Sequence, residues 1–204
     1  MTHENPGSEV AALQARLARQ LEQDDLRLVS AAGEVELVRM QEADAEAQFR
    51  VVEANRAHLR EWLGWLDVTI QVENMREFIA DARSRTRDEG SIVWAIRHGG
   101  ENVGVISFHA IEWAESLASI GYWLARSATG RGLATAALRT VVEFAFGALG
   151  LKTLRARVAP GNTRSAALVR RLGFRVVGVI DPGEELYGRP VAHEVFELEN
   201  PAAG

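Results

Sequence analysis

The chain has 204 residues, of which 28 are acidic and 23 are basic, giving a formal net charge of −5, and 47% of its residues are hydrophobic. This length and composition are typical of one globular domain and exclude wholesale disorder. The acidic balance disfavours a nucleic-acid partner. Because the sequence contains no cysteine, a disulfide framework, a thiolate metal site and a cysteine nucleophile are excluded.

The sequence gives no sign of a membrane segment or a metal centre. No apolar run approaches the ~20 residues needed to cross a bilayer, and residues 1–7 lack the apolar core of a signal peptide. The 5 histidines lie far apart, without a pair spaced to share a metal ion. We therefore expect a cytoplasmic protein without a metal and without membrane or nucleic-acid partners.

The first predicted element is a helix over residues 9–24, where apolar residues recur at helical spacing behind Ser8, a candidate N-cap. We interpret residues 1–25 as an N-terminal helical extension, residues 26–200 as the main domain and residues 201–204 as a tail. The helix is expected to pack on this domain or on a second copy of the chain. The second arrangement would make a homodimer.

The main domain is predicted to mix strands and helices. Two short strands and two helices precede an antiparallel meander of three strands, which a β-α-β crossover, a helix and a final hairpin follow. This order predicts a mixed α/β (α+β) fold with a mostly antiparallel twisted sheet and helices on both faces. The predicted elements are strands 26–30 and 35–40, helices from 44 and over 72–85, strands 91–98, 103–111 and 118–125, helix 133–149, strand 153–158, helix 163–172, and strands 174–180 and 191–198.

A glycine-rich segment between the third meander strand and its helix is the most informative local feature. Residues 129–135 read TGRGLAT. Glycines let a ligand approach the backbone closely, and the first amides of a helix lack acceptors and carry the positive end of its dipole. Such a site favours a phosphate or a diphosphate, to which Arg131 could add a full charge. The alternative is a turn that only connects the strand to the helix.

Two nucleotide-binding motifs do not fit this segment. A P-loop requires a glycine followed by lysine, and no glycine of this chain is followed by lysine. A dinucleotide fingerprint requires glycine or alanine at its sixth position and an acidic residue about 20 positions later. Thr135 occupies the sixth position, and residues 150–152 downstream contain no acidic side chain.

The same segment resembles the signature of the GNAT superfamily of acyl-CoA-dependent N-acetyltransferases, Gln/Arg-x-x-Gly-x-Gly/Ala. The signature falls on residues 129–134, where Gly132 and Ala134 match and Thr129 departs from the usual Gln or Arg. Thr129 still offers a backbone amide, so the departure concerns only a side-chain contact.

Other segments are similar to one subgroup of that superfamily, the bacterial ribosomal-protein N-terminal acetyltransferases. They correspond to the subgroup's N-x-x-x-L-x-x-W-L-x-W segment, its central strands and its Asn-x-x-Ser…Gly-Phe signature, and together they extend over roughly residues 26–198. The similar segments are Asn55–Trp65, 104–108, 120–124 and 158–165 with 172–174.

The resemblance implies acetyl-CoA as the acetyl donor. It places the pyrophosphate on the backbone amides of residues 129–134. The pantetheine arm would lie along the main chain of residues 123–125, where a backbone N–H would also stabilise the oxyanion of the reaction. Asn162 is either a turn residue or a pantetheine contact. The implied cofactor-binding residues are Trp123, Leu124, Ala125, Thr129, Gly130, Arg131, Gly132, Leu133, Ala134, Thr135, Asn162 and Ser165.

The resemblance also implies residues that handle protons. An α-amino group titrates near ~8, so a weak base or a water molecule suffices to deprotonate it. The candidate bases are Glu184, Glu185 and Glu112; the family's spacing after residues 173–174 selects Glu184, and Glu112 is the second choice. Ser165 matches the family residue that supplies a proton or a hydrogen bond to the departing thiolate. Its alternative role is to cap a helix.

These similarities predict an enzyme that passes acetyl directly from acetyl-CoA to a primary amine. The Asn55–Trp65 segment favours the N-terminal amine of a protein, such as a ribosomal protein. A small amine, such as a polyamine or an aminoglycoside, is the alternative acceptor, because acceptor loops diverge within one fold. An acyl-CoA-binding module without turnover is the alternative of a different class.

Overall fold

The computed structural model describes residues 6–22 and 26–203, and these ranges contain eight strands and six α-helices. In chain order the elements are α1 (Pro6–Leu21), β1 (Arg27–Val29), β2 (Glu36–Arg39), α2 (Ala45–Leu59), α3 (Val72–Ser84), α4 (Thr86–Glu89), β3 (Ile92–His98), β4 (Glu101–Glu112), β5 (Leu117–Leu124), α5 (Leu133–Glu143), β6 (Thr153–Val158), α6 (Thr163–Arg171), β7 (Arg175–Leu186) and β8 (Arg189–Glu199).

All eight strands belong to one sheet in the order β1-β2-β3-β4-β5-β6-β8-β7. Every neighbouring pair is antiparallel except β5 and β6, which are parallel and joined through α5. A parallel pair needs such a crossover because a short turn cannot return the chain to the same end of the sheet. The predicted mixed α/β fold with a mostly antiparallel sheet is confirmed.

The two faces of the sheet bury separate cores. The first core lies between the sheet and α1, α5 and α6, and Trp94 makes edge-to-face contacts there with Phe108 and Phe144 at centroid distances of 5.3 and 5.9 Å. The second core lies under α2 and α3 and includes Val52 and Ile79. Helices therefore cover both faces, as the order of the predicted elements indicates.

Several element boundaries differ from the sequence-based expectations. Helix α1 begins at Pro6, so Ser8 lies inside the helix, and residues 23–25 lie outside the described ranges. Proline is favoured in the first turn of a helix, because the N–H groups there have no acceptor within the helix and proline lacks this group without losing a hydrogen bond. Strand β7 continues to Leu186 instead of ending at residue 180, which places Glu184 on a strand.

Helix α1 packs on its own domain. Leu13 and Leu17 are each 2% exposed and belong to the first core. The guanidinium of Arg16 donates to the carbonyl oxygen of Leu149 at 3.1 Å, and Lys152 pairs with Glu9 at 2.5 Å. The helix therefore covers apolar surface of the same chain that would otherwise be exposed to water.

We expect Leu17→Ala to lower the free energy of unfolding by about 2–5 kcal/mol, because it leaves a cavity in the first core. Urea unfolding followed by circular dichroism measures this loss. The matched control is Gln14→Ala, an exposed position on the same helix, which should change stability by less than about 0.5 kcal/mol. Equal effects of the two substitutions would contradict the packing of α1 on this domain.

Candidate active site

The central feature of the site is the point where β5 and β6 separate. The two strands pair from Leu117↔Thr153 to Ile120↔Ala156, and no later residues of β5 pair with β6 in the described sheet. Beyond this point β6 continues to pair with β8, whereas residues 121–124 of β5 pair only with β4. A wedge-shaped gap therefore opens between β5 and β6 and leaves one edge of β5 without a partner strand.

The main-chain groups of β5 that do not hydrogen-bond to β4 face this gap. The Ala125 N–H donates to Val103 O at 2.8 Å, so the polar groups of Ala125 point toward β4. Because alternate residues of an antiparallel strand point to the same side, Trp123 also faces β4, and Tyr122 and Leu124 face the gap. Of the three residues predicted to pair with a pantetheine arm, Leu124 alone thus has its main chain on the open side.

The glycine-rich segment lies just beyond the gap and opens α5. Gly130 and Gly132 have φ values of +74° and +79°, and a Cβ added to either one would meet no atom within 4 Å. Gly132 is the N-cap residue of α5. Within the described ranges, no backbone or side-chain oxygen accepts a hydrogen bond from the amides of residues 130–135. These amides fit the requirement for a diphosphate: exposed N–H donors at the positive end of a helix.

Two side chains hold the surroundings of this segment in place. The guanidinium of Arg131 lies 2.9 Å from His98 Nε2 in the neighbouring hairpin, so its charge sits beside the row of amides. Asn55, from α2, accepts a hydrogen bond from the Arg126 N–H at 2.8 Å. Asn55 therefore ties α2 to the start of the loop, a role that its place in the Asn55–Trp65 segment did not reveal.

Helix α6 presents Ser165 to the first-core side of the gap. Asn162 is the N-cap of this helix, and its side chain accepts from the Ser165 N–H at 3.1 Å. The Ser165 hydroxyl lies 2.8 Å from the phenol oxygen of Tyr122, and burial raises the pKa of that phenol while the hydrogen bond to Ser165 partly offsets the rise. Asn162 thus does the capping, and the hydroxyl of Ser165 points across the gap toward β5.

The loop between α2 and α3 closes the second-core side of the gap. We call residues 60–67 the cover segment. Its Leu63 carbonyl accepts a hydrogen bond from the Tyr187 hydroxyl at 2.6 Å, and its Arg60 guanidinium lies 4.1 Å from the centre of the Tyr187 ring. Its Trp65 ring lies 6.4 Å from the ring of Trp123. The cover segment therefore joins α2 to the β7–β8 hairpin above β5.

Glu184 lies beneath the cover segment. A Cβ on Gly64 would be 3.2 Å from Glu184 Oε1, and the other carboxylate oxygen is 3.7 Å from His193 Nε2. Glu184 contacts the cover segment, which packs against the second core, and Ser165 belongs to α6, which packs against the first core, so the two side chains lie on opposite faces of the sheet. The backbone oxygen of Glu185 also lies near Gly64, but adjacent residues of a strand direct their side chains to opposite faces.

Glu112 lies at the other end of the sheet. It pairs in register with Leu117, the first residue of β5, and its carboxylate lies 3.3 Å from Arg155 Nη1. Leu117 and Leu124 are seven steps apart along the strand, or about 23 Å at the usual rise per residue. The structure therefore brings Ser165, Leu124 and the glycine-rich segment to the gap, with Glu184 beneath its cover, but it leaves Glu112 at a distance.

His109 and Gly121 form a close contact on the second-core side of β5. Residue 109 sits in a β-bulge, and a Cβ on Gly121 would overlap its imidazole ring. The ring keeps part of its surface exposed to solvent, yet desolvation, followed by the charges of Arg157 and Arg85, lowers the pKa of His109. No local sequence pattern distinguished this histidine, because the bulge that turns it over Gly121 depends on strand register.

The described residues contain no group of three or more His, Asp or Glu side chains arranged to hold a metal ion. None of the helices in residues 6–22 and 26–203 is long and apolar enough to span a membrane.

The family is shown by comparison with known proteins. The model of the acetyltransferase (GNAT) domain family matches residues 34–175. The chain therefore belongs to the GNAT acetyltransferases, and the predicted family and enzyme class are confirmed. The match begins after α1, so the N-terminal helix lies outside it.

Named relatives agree with this assignment. The chain is 31% identical over 153 residues to the "Putative ribosomal N-acetyltransferase YdaF" of Bacillus subtilis (strain 168), covering 74% of this chain and 82% of that protein. Among solved structures, Mycobacterium smegmatis RimJ in complex with CoA-disulfide is 30% identical, with a TM-score of 0.77 and 88% of each chain covered. RimL in complex with coenzyme A shares the fold, with a TM-score of 0.81 at 24% identity over 86% of this chain and 99% of that one.

Proposed function

We propose that this acetyltransferase uses acetyl-CoA and acetylates the N-terminal α-amino group of a protein, with a ribosomal protein as the first candidate. The observation that carries the proposal is the row of unpaired amides at residues 130–135, which leads directly to the open edge of β5 and to Ser165. These groups suit a ligand that has a diphosphate for the amides, a long arm with amide groups for the open edge of β5, and a thioester near Ser165. The bound coenzyme in RimJ and RimL supports the choice of donor.

Different residues of the gap bind different parts of acetyl-CoA. The amides of residues 130–135 hold the diphosphate through charge-assisted hydrogen bonds. The main-chain groups of Tyr122 and Leu124 pair with the amides of the pantetheine arm, as a sheet edge pairs with an added strand. This pairing brings the thioester to the end of the gap where Ser165 lies.

The chemistry then requires a neutral amine and a stabilised leaving group. Glu184, beneath the cover segment, takes a proton from the ammonium form of the acceptor, directly or through water. The C–N bond forms as the C–S bond breaks, and Ser165 donates a hydrogen bond to the departing sulfur. Of the two protons that the ammonium group loses, one ends on the thiol and the other passes to solvent.

The acceptor side favours a protein N-terminus. The cover segment follows α2 and contacts Tyr187 of the β7–β8 hairpin. The acceptor amine must therefore enter the gap beneath this segment. An extended chain end fits such an entrance. The name of YdaF refers to ribosomal N-acetylation, and a relative from Escherichia coli (strain K12), 25% identical over 152 residues, is named ribosomal-protein-serine acetyltransferase.

A thiol-release assay tests this function. Acetyl-CoA is offered with peptides that begin with free Ser or Ala, with the same peptides acetylated at the N-terminus but carrying a free lysine, and with spermidine and kanamycin. We expect release only with free N-termini. Thiol release with spermidine or kanamycin, but not with any peptide, would show that the acceptor is a small amine and not a protein. Acetyl-CoA binding by calorimetry without release for any amine would indicate a binding module.

A further inference from the structure

The hydroxyl of Ser165 has one hydrogen-bond partner within the described ranges, the phenol of Tyr122 at 2.8 Å. The two residues are 43 positions apart and come from different elements, β5 and α6. Tyr122 lies two residues beyond the last β5–β6 pair, at the start of the gap, and its ring packs against the first core. The packing of its ring therefore holds the phenol oxygen of Tyr122 in place beside the Ser165 hydroxyl.

The direction of this hydrogen bond follows from the chemistry of the two groups. A phenol, with an ordinary pKa near ~10, is a stronger donor than an aliphatic hydroxyl, so Tyr122 donates and Ser165 accepts. A hydroxyl has one hydrogen and two lone pairs. Because Asn162 caps the Ser165 N–H, the serine oxygen has no capping task, and its own hydrogen is left to point into the gap.

We propose that Tyr122 is a positioning residue for the leaving group: by donating to Ser165 Oγ it directs the Ser165 O–H toward the sulfur of the acyl thioester. This inference rests on the proposed use of acetyl-CoA. Burial raises the pKa of Tyr122, so the phenol keeps its proton at neutral pH. The pair therefore acts as a chain of two hydrogen-bond donors, and the proton that ends on the thiolate comes from solvent or from the acceptor amine.

A double-mutant cycle tests the arrangement. We expect Tyr122→Phe, which keeps the ring, to lower the single-turnover rate of acetyl transfer about tenfold, as the loss of one hydrogen bond does. Ser165→Ala should lower the rate at least as much. The double variant should react within a factor of about two of Ser165→Ala alone, because Tyr122 acts through Ser165. All three variants should still bind CoA, because the amides of residues 130–135 and the main chain of β5 are unchanged. Independent, multiplicative losses, or no loss with Tyr122→Phe, would overturn the proposal.

A spectroscopic readout separates this inference from the proposed function, because it needs no acceptor. The chain has 2 tyrosines, so a Tyr187→Phe background isolates the tyrosinate absorbance of Tyr122. Ser165→Ala should shift the pKa of Tyr122, because it removes the hydrogen-bond partner of the phenol. CoA should shift this titration and desulfo-CoA should not. Equal shifts with both ligands would show that the pair does not face the sulfur, whereas failure of both ligands to bind would instead contradict the proposed function.

Discussion

Replacing Gly132 by tryptophan is expected to weaken acetyl-CoA binding by about 100-fold or more. Gly132 caps α5 at a φ of +79°, and the space beside it is open. An indole there would lie over the amides of residues 130–135 and exclude a diphosphate. Losing two charge-assisted hydrogen bonds of about 1.5–3 kcal/mol each accounts for a loss of this size. Isothermal titration calorimetry with acetyl-CoA measures it.

Gly188→Trp is the matched control for this substitution. Gly188 also has a positive φ, +76°, and its added Cβ would also meet no atom within 4 Å. Both substitutions therefore impose similar backbone strain on an open turn, but Gly188 lies at the tip of the β7–β8 hairpin, away from the glycine-rich segment. If the two variants lose affinity equally, or if Gly132→Trp binds like the wild type, the phosphate-site assignment is refuted.

Glu184→Gln is expected to lower the rate of acetyl transfer about 100-fold at pH 7, within the usual range for general-base catalysis. The deficit should shrink as the pH rises. An α-amino group titrates near ~8, so its neutral, nucleophilic form becomes abundant above that pH and no longer needs a base. Single-turnover rates from pH 6 to 9 with a free-N-terminus peptide measure this dependence.

Two further glutamates serve as controls for Glu184. Glu185→Gln changes the next residue of β7, whose side chain is directed to the opposite face, and Glu112→Gln changes a residue that pairs with Arg155 at the far end of β5. Both should react within about threefold of the wild type at every pH. A large loss with either control, or a pH-independent deficit with Glu184→Gln, would remove Glu184 from its proposed role.

The local parts of the site could be predicted from the sequence because each is built by a few consecutive residues. A strand, two glycines and a helix start leave amides without acceptors wherever they occur. The predicted cradle is formed by the amides of residues 129–134. In the structure the Thr129 N–H donates to Arg126 O at 3.2 Å, whereas the N–H groups of residues 130–135 meet no protein oxygen within the described ranges. The Asn-x-x-Ser spacing placed Asn162 and Ser165 together for the same reason, since it spans the first turn of α6.

Tertiary structure decided what depends on strand register and on contacts between distant elements. Whether Trp123 or Leu124 faces the gap depends on which residues of β5 bond to β4, and a shift of one position would reverse the answer. The strand pairing also shows that Glu112 lies beside Leu117 at the start of β5, far from the gap, whereas Glu184 lies in the β7–β8 hairpin. The contact of Tyr122 with Ser165 joins β5 to α6 across the gap. Sequence periodicity indicates which face of an element is buried, but it contains no information on which distant residue that face meets.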